Sequence, residues 1–313
     1  MDGDRAVLAI DIGGTKLAAA IVHADGRISH ARAAATPARV GATAILAAAG
    51  ALGREVRETG RSDGLEIAAV GVGAAGLIDR PRGVVLYATD NLVGWTGTAV
   101  ADALQTIFQL PVTVDNDVNA LALGEQHFGA GRGLDHTLYV AVGTGIGGAM
   151  ILNSQLWHGA TFSAGEIGHL VVDYQGARRC SCGQRGHLEA YTAGPALAAR
   201  YCELVASIEQ LDLREVAARA QSGDRLAQQA IAEGGRVLGL ALAGLLCTID
   251  PQALIIGGGV SELGPEWWEP LTAALRASVL PGPRDVVIKH AELGITAVLS
   301  GAAWLALHAA EEP

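Results

Sequence analysis

The chain has 313 residues, half of them hydrophobic, with 42 glycines and only 4% aromatics; that is enough for one large α/β domain or two ordinary ones with cores of Ala, Val, Leu and Ile. A formal net charge of −10 leaves no basic field to gather phosphates, which excludes a general nucleic-acid or membrane-surface binder. No basic segment followed by an apolar run opens the chain, and no run of ~20 apolar residues is free of charge and glycine, so neither a signal peptide nor a membrane span is expected.

In chain order, residues 6–12 read as a buried strand, Gly13-Gly14 as a turn, and 17–22 as a second strand. Asp25-Gly26 is a hairpin turn into a third strand near 27–34. The Ala- and Leu-rich stretch 42–59 predicts a helix ending before Gly60, and 67–73 another buried strand. Residues 98–108 put Val100, Leu104 and Ile107 on one helical face, and 112–115 form a short strand. The opening then recurs: strand 137–142, a glycine turn, strand 149–152. This long-period repeat predicts two related α/β halves. From 194 onward helices dominate, including a long apolar run at 224–248. A strand at 253–256 leads into Gly257-Gly258-Gly259, Trp267 and Trp268 open another helix, and 296–310 closes the chain.

Asp11-Ile12-Gly13-Gly14-Thr15-Lys16 lies between two strands, so it is neither a P-loop nor a Rossmann fingerprint, both of which run into a helix. Its glycines let backbone approach an anion, Thr15 and Lys16 add a hydroxyl and a charge, and Asp11 could hold Mg²⁺ through water. Gly143-Thr144-Gly145 offers a second set of donors, and Gly257-Gly258 a flat surface for a base and ribose. Each alone reads as an ordinary tight turn; three after buried strands favour a nucleotide cleft. In Asp115-Asn116-Asp117-Val118-Asn119 a strand meets a helix, where Asp and Asn are common caps. Capping accounts for one such residue rather than four. Asp117 is the candidate base for a hydroxyl that accepts a phosphoryl group, Asn116 a partner for a neighbouring hydroxyl, and Asp115 and Asn119 are structural.

His169, Cys180, Cys182 and His187 offer four zinc ligands within nineteen residues. The competing reading is a surface loop with two free thiols. Cys-x-Cys is tight even for zinc and poor for a mutual disulfide. With so few cysteines, a reduced, cytoplasmic protein is expected, and Cys202 and Cys247 are core thiols. Glu166 and Glu189 flank the ligands, placed to accept from sugar hydroxyls. The remaining histidines, His158 among them, are scattered and carry no assigned role.

These pieces, together with Gly143-Thr144-Gly145-Ile146-Gly147-Gly148, Glu166-Ile167-Gly168-His169 and Ile256-Gly257-Gly258-Gly259, resemble the ROK family of repressors and sugar kinases over nearly the whole chain. The resemblance implies an actin-like ATPase (ribonuclease-H-like) fold, with two α/β domains flanking a cleft for ATP and sugar. It implies a smaller domain at 1–115, to which a closing helix at 296–313 returns, and a larger one at 116–295 with the sugar site and zinc motif. It implies Asp117 as catalytic base, with Asn116, Asp117, Glu166, His169 and Glu189 binding the sugar. Asp11 to Lys16 and Gly143 to Gly145 become phosphate loops, and His169, Cys180 and Cys182 zinc ligands. The family usually has a third Cys where this chain has His187, itself a competent ligand. ATP, Mg²⁺ and structural Zn²⁺ are the implied cofactors, and a homodimer or homotetramer the implied assembly. Family repressors carry a winged helix-turn-helix ahead of the first strand; here that strand begins near residue 6, so no DNA-binding domain is expected. The expected activity is phosphorylation of a hexose at C6, glucose first, with N-acetylmannosamine, N-acetylglucosamine, fructose or allose as other acceptors, polyphosphate as another donor, or a non-enzymatic sugar sensor.

Overall fold

The computed structural model describes residues 6–89, 91–208 and 210–309. In chain order the elements are β1 (Ala6–Ile12), β2 (Lys16–His23), β3 (Ile28–Ala35), α1 (Ala42–Ser62), β4 (Ile67–Ala74), β5 (Leu77–Asp79), β6 (Val84–Tyr87), α2 (Val100–Phe108), β7 (Val112–Asn116) and α3 (Asp117–Phe128). There follow β8 (Thr137–Val142), β9 (Ile146–Leu152), β10 (Gln155–Leu156), α4 (Glu189–Thr192), α5 (Gly194–Leu204), α6 (Leu213–Gln221), α7 (Arg225–Ile249), β11 (Ala253–Gly257), α8 (Pro265–Ser278), β12 (Val287–His290) and α9 (Ala297–His308). The chain forms two units. The first holds the described residues up to Gly133, Leu156–Ala164 and those from Glu292 on; the second holds Leu134–Gln155 and Gly165–Ala291.

In the first unit a five-stranded sheet has the order β3-β2-β1-β4-β7. The tight turns at Gly13-Gly14 and Asp25-Gly26 make β1, β2 and β3 antiparallel neighbours, whereas β4 and β7 arrive by helical crossovers and run parallel to β1. Period-two alternation gives the sheet two buried faces. Leu8, Ile10 and Ile12 cluster with Ile45 and Val56 of α1 and with Leu104 and Phe108 of α2. Val7 and Ala9 cluster with Leu299, Ala302 and Ala303 of α9. The approach of α9 is close: a Cβ at Gly301 would lie 1.6 Å from the Ala120 carbonyl oxygen. At the other end of the same helix pair, His127 stacks on Trp304 and Trp304 on His308, with centroids 3.5 and 3.6 Å apart. Because β1, β4 and β7 are parallel, Asp11, Gly73 and Asp115 fall in register and the three strands end together.

The second unit repeats the pattern in the order β10-β9-β8-β11-β12, with β8 and β9 antiparallel and β11 parallel to both β8 and β12. Its core joins Leu138, Val140 and Val142 of β8 to α5, α7 and α8. Helix α7, the long apolar run expected at 224–248, is by length and composition apolar enough to cross a membrane. Its Leu238, Leu242 and Leu246 are buried with Leu254, Ile256 and Leu271, so that face is core.

Several features differ from expectation: Cys247 is exposed and Cys202 only half-buried, so neither is the core thiol expected from its apolar helical pattern. Helix α1 runs through Gly60 to Ser62, with Gly60 set against Ile21 of β2, whose Cδ1 would lie 2.1 Å from a Cβ there. Strand β9 starts at Ile146, inside the glycine run, since Gly147 and Gly148 pair with Ala141 and Val140. The short strands β5, β6 and β12 were not anticipated; at three or four residues they carry too little periodicity to read. The division by packing falls after Gly133 rather than at 115/116, since α3 packs on α9 and β4. The closing helix lies in the first unit, while its expected final residues 310–313, like residues 1–5, lie outside the described residues.

Candidate active site

In the first unit, Asp11 sits at the end of β1 and the turn after it is closed by Gly13 N–H donating to the Lys16 carbonyl (3.1 Å). Thr36 fastens the turn from outside, its hydroxyl donating to the Gly13 carbonyl (2.7 Å). Gly14, Thr15 and Lys16 are exposed. Two strands over, at the end of β7, Asn116 is the N-cap of α3: its side-chain oxygen accepts from Val118 N–H (2.8 Å) and Asn119 N–H (3.1 Å), and its amide donates to the Gly76 carbonyl (2.9 Å). The capping role expected somewhere in this run thus falls to Asn116, which keeps one amide hydrogen for a ligand. Asp117 is the first residue of the helix, its Oδ1 accepting from its neighbour Val118 N–H (2.9 Å). The helix start can approach β4 because residue 73 is glycine: a Cβ there would lie 3.5 Å from Asp117 Cα and 2.5 Å from Val298 Cγ1. Burial, and then the Asp117 carboxylate, push Asp11 up to about 7 against the pull of Lys16. Burial likewise raises Asp117 above the usual carboxylate range, against the N–H bonds it receives.

In the second unit the register Ala141 to Gly257 brings the two glycine turns together. Gly258, at φ +93°, lies against Val142, where a Cβ would be 2.4 Å from the carbonyl oxygen. Gly143 N–H donates to the Gly145 carbonyl (2.9 Å), leaving Thr144 exposed at the tip. Glu189 bridges this turn to the cysteine loop. It accepts from Ile146 N–H (3.0 Å) and the Ser181 hydroxyl (2.5 Å), with Cys180 Sγ 3.7 Å away.

The four expected metal ligands converge: one donor atom from each of His169, Cys180, Cys182 and His187 lies within 4.8 Å of all the others. Cys180 Sγ is 3.7 Å from His169 Nδ1, and Cys182 Sγ is 3.3 Å from His187 Nδ1. Zinc bond lengths in a tetrahedron set neighbouring ligand atoms about 3.3–3.8 Å apart, so the residues fit a zinc ion. His169 turns Nδ1 to this cluster and Nε2 to Glu166, 3.5 Å from its carboxylate. Burial pushes the Cys180 thiol up to about 11. A coordinated cation would reverse that preference.

Sequence reasoning missed a buried network behind Asn116. Asp115 is 1% exposed. Its Oδ1 accepts from Asn116 N–H (2.7 Å) and the Asn119 side chain (2.9 Å). Its Oδ2 takes His158 Nε2 (2.7 Å) and lies 3.6 Å from Arg80 Nε. Neither His158 nor Arg80 stands near position 115 in sequence, and no motif flagged them.

A model of the ROK family matches residues 7–309. The glucokinase of Streptomyces coelicolor is 33% identical over 319 aligned positions, covering 96% of each chain. Among solved structures, a ROK family glucokinase from Streptomyces griseus in complex with glucose and AMPPNP shares 35% identity at a TM-score of 0.83, covering 97% of this chain and 99% of its own. The ROK hexokinase of Thermus thermophilus shares 33% at 0.84, covering 98% and 100%. The repeated sheet is that of the actin-like ATPase fold these sugar kinases share, and the chain belongs to the ROK family.

Proposed function

We propose that this chain transfers the γ-phosphoryl group of ATP to the C6 hydroxyl of glucose. That it is an ATP-dependent sugar kinase rests on its kinship with ROK glucokinases over almost its full length. The observation that carries the finer reading is the pair of carboxylates at the ends of β1 and β7, Asp11 and Asp117, two strands apart in one sheet and close enough for Asp117 to raise the proton affinity of Asp11.

Asp117 takes the proton of the C6 hydroxyl as the oxygen attacks phosphorus. Its raised proton affinity makes it a better base than a solvated carboxylate, provided it is ionised in the working complex. Asn116 holds the backbone of that turn and offers its remaining amide hydrogen to an adjacent hydroxyl. Glu166, His169 Nε2 and Glu189 bind further hydroxyls; Glu189 already accepts from Ile146 N–H, the Ser181 hydroxyl and the Cys180 thiol, and a carboxylate has about four sites to offer. A site that pairs every hydroxyl rejects analogues lacking one. Gly13, Gly14, Thr15 and Lys16, with Gly143, Thr144 and Gly145, receive the phosphates, and Gly257 and Gly258 the nucleoside. Mg²⁺, with Asp11 as its partner through water, would offset charge on the transferring group, where most of the catalysis of this reaction lies. Zn²⁺ on His169, Cys180, Cys182 and His187 would fix the loop that carries Glu189. The reading entails a cytoplasmic enzyme, working as a homodimer or homotetramer.

The test is ADP release over a panel of glucose, mannose, fructose, allose, N-acetylglucosamine and N-acetylmannosamine, with ATP or polyphosphate as donor. Glucose with ATP should give the highest kcat/KM. Asp117→Asn should keep glucose binding and lose turnover by about 10²–10⁴-fold. Near-normal turnover in that variant would remove the base assignment, and transfer to no sugar from either donor would leave a sensor.

A further inference from the structure

We propose that His158 is a positioning residue for phosphoryl transfer, acting through buried Asp115 on the turn that presents Asn116 and Asp117. The inference rests on the kinase reading above for its kinetic consequence, and on geometry alone for its structural one.

Asp115 is the only described acid that gathers this set of partners. At 1% exposure its charge is costly unless each oxygen is satisfied. The two oxygens do different work. Oδ1 faces the turn, receiving Asn116 N–H at 2.7 Å and the Asn119 side chain at 2.9 Å. Oδ2 faces away, receiving His158 Nε2 at 2.7 Å, with Arg80 Nε at 3.6 Å. The carboxylate is planar, so the direction of Oδ1 is fixed by whatever holds Oδ2. Without His158, Oδ2 keeps only the longer Arg80 contact. The group then rotates towards Arg80, and the two bonds that set the start of α3 lengthen. Asn116 is the cap and Asp117 the next residue, so a small rotation is passed straight to the proposed base. Displacements near 1 Å at a reacting group cost about 10²-fold in rate.

The placement of His158 gives it a further consequence. It lies on Leu156–Ala164, a segment that packs in the first unit although the residues on either side belong to the second. The segment is folded on itself, Ala164 N–H donating to the His158 carbonyl (3.2 Å) and Gly159 at φ +73° making the bend. From Ala164 the chain continues directly into Gly165 and Glu166. The bond from His158 to Asp115 therefore fastens the Leu156–Ala164 segment, within the first unit, to the strand that ends at Asn116.

The experiment compares His158→Ala with His158→Gln, whose amide nitrogen can reach the position of Nε2. His158→Ala should lower kcat about 10–100-fold while KM for ATP changes less than about twofold. His158→Gln should recover kcat to within about threefold of the parent. Hydrogen exchange at the Asn116 and Val118 amides should quicken in His158→Ala and return towards the parent rate in His158→Gln. If the alanine variant does not fold, His158→Asn, too short to reach Asp115, takes its place. Unchanged kcat and exchange in the alanine variant would overturn the proposal, as would a glutamine variant impaired as deeply as the alanine one. Amide exchange needs no turnover, so the positioning role can fail while parent activity on sugar stands, and the kinase reading can fail while the exchange result stands.

Discussion

Two half-buried carboxylates in one small region cannot both carry a full charge cheaply, and Asp11 and Asp117 divide the cost. Asp11 rises from 3.8 to about 7, chiefly through burial and next through Asp117. Its folded-state proton affinity therefore exceeds that of the unfolded chain. The stabilisation this gives is fully present below about pH 4 and is lost as the pH rises through 7. Above that, an ionised Asp11 is a liability that Lys16 offsets in part and a bound cation would offset further. Asp11→Asn should raise the unfolding free energy at pH 8 by about 1–3 kcal/mol in the absence of Mg²⁺, with no such gain at pH 4, as read by urea denaturation. In the same variant Mg²⁺ should no longer stabilise the protein, and KM for Mg·ATP should rise. If parent and variant respond alike to both pH and Mg²⁺, Asp11 is not the cation's partner.

At the level of elements, what the sequence revealed and what it hid follow from range. The strands ending at Asp11 and Val142, the turns after them and the cap at Asn116 are written in neighbouring residues, so period two, Gly-Gly and Asn at a helix start made them legible. The convergence of His169, Cys180, Cys182 and His187 was also legible, as a spacing. The pairing of His158 and Arg80 with Asp115 was not, since it joins positions dozens of residues apart and neither residue type is confined to such a role. Nor was the close crossing of α3 and α9, since a helical glycine such as Gly301 gives no hint of which backbone will meet it. The cysteine loop is where a legible motif yields an element-scale prediction. Its regular structure amounts to a 3-10 turn at Ile167–His169, isolated bridges from Val171 to His187 and from Arg179 to Arg185, and the four-residue helix starting at Glu189, so its order depends on cross-links. Metal analysis should find about one zinc per chain, and replacing His187 with Cys should keep it. Zinc must displace the proton of a thiol that burial holds near 11, so retention should weaken as the pH falls. Chelation should lower the melting temperature and raise KM for sugar about 10-fold or more, leaving KM for ATP near its starting value. A metal-free protein with unchanged melting temperature and sugar KM would reduce the cluster to a surface loop.

At the level of the whole molecule, the chain leaves the first unit after Gly133 and re-enters it finally at Glu292. Within that unit both points are held by one side chain. Glu125, on α3 and 0% exposed, accepts from Ala130 N–H (2.9 Å), Glu292 N–H (3.0 Å) and Leu293 N–H (2.7 Å). Gly129 leaves room for it, since a Cβ there would lie 2.1 Å from Glu125 Oε2. The same helix starts with Asp117, so the element that presents the proposed base is also pinned to the place where the second unit begins and ends. Glu125→Gln tests the pin. The amide keeps one acceptor but turns a donor towards N–H groups that had an anion, which should cost about 2–4 kcal/mol. The loss belongs to the first unit, so urea denaturation should change from one transition to two, with the second unit keeping its parental midpoint. Glucose with a non-hydrolysable ATP analogue, each at about 100 times its dissociation constant, should return roughly 2.7 kcal/mol to the weaker transition per saturating ligand that binds only the folded form. A variant that unfolds in one step at the parental midpoint would show that the three N–H groups find other acceptors, and that Glu125 does not hold the crossings together.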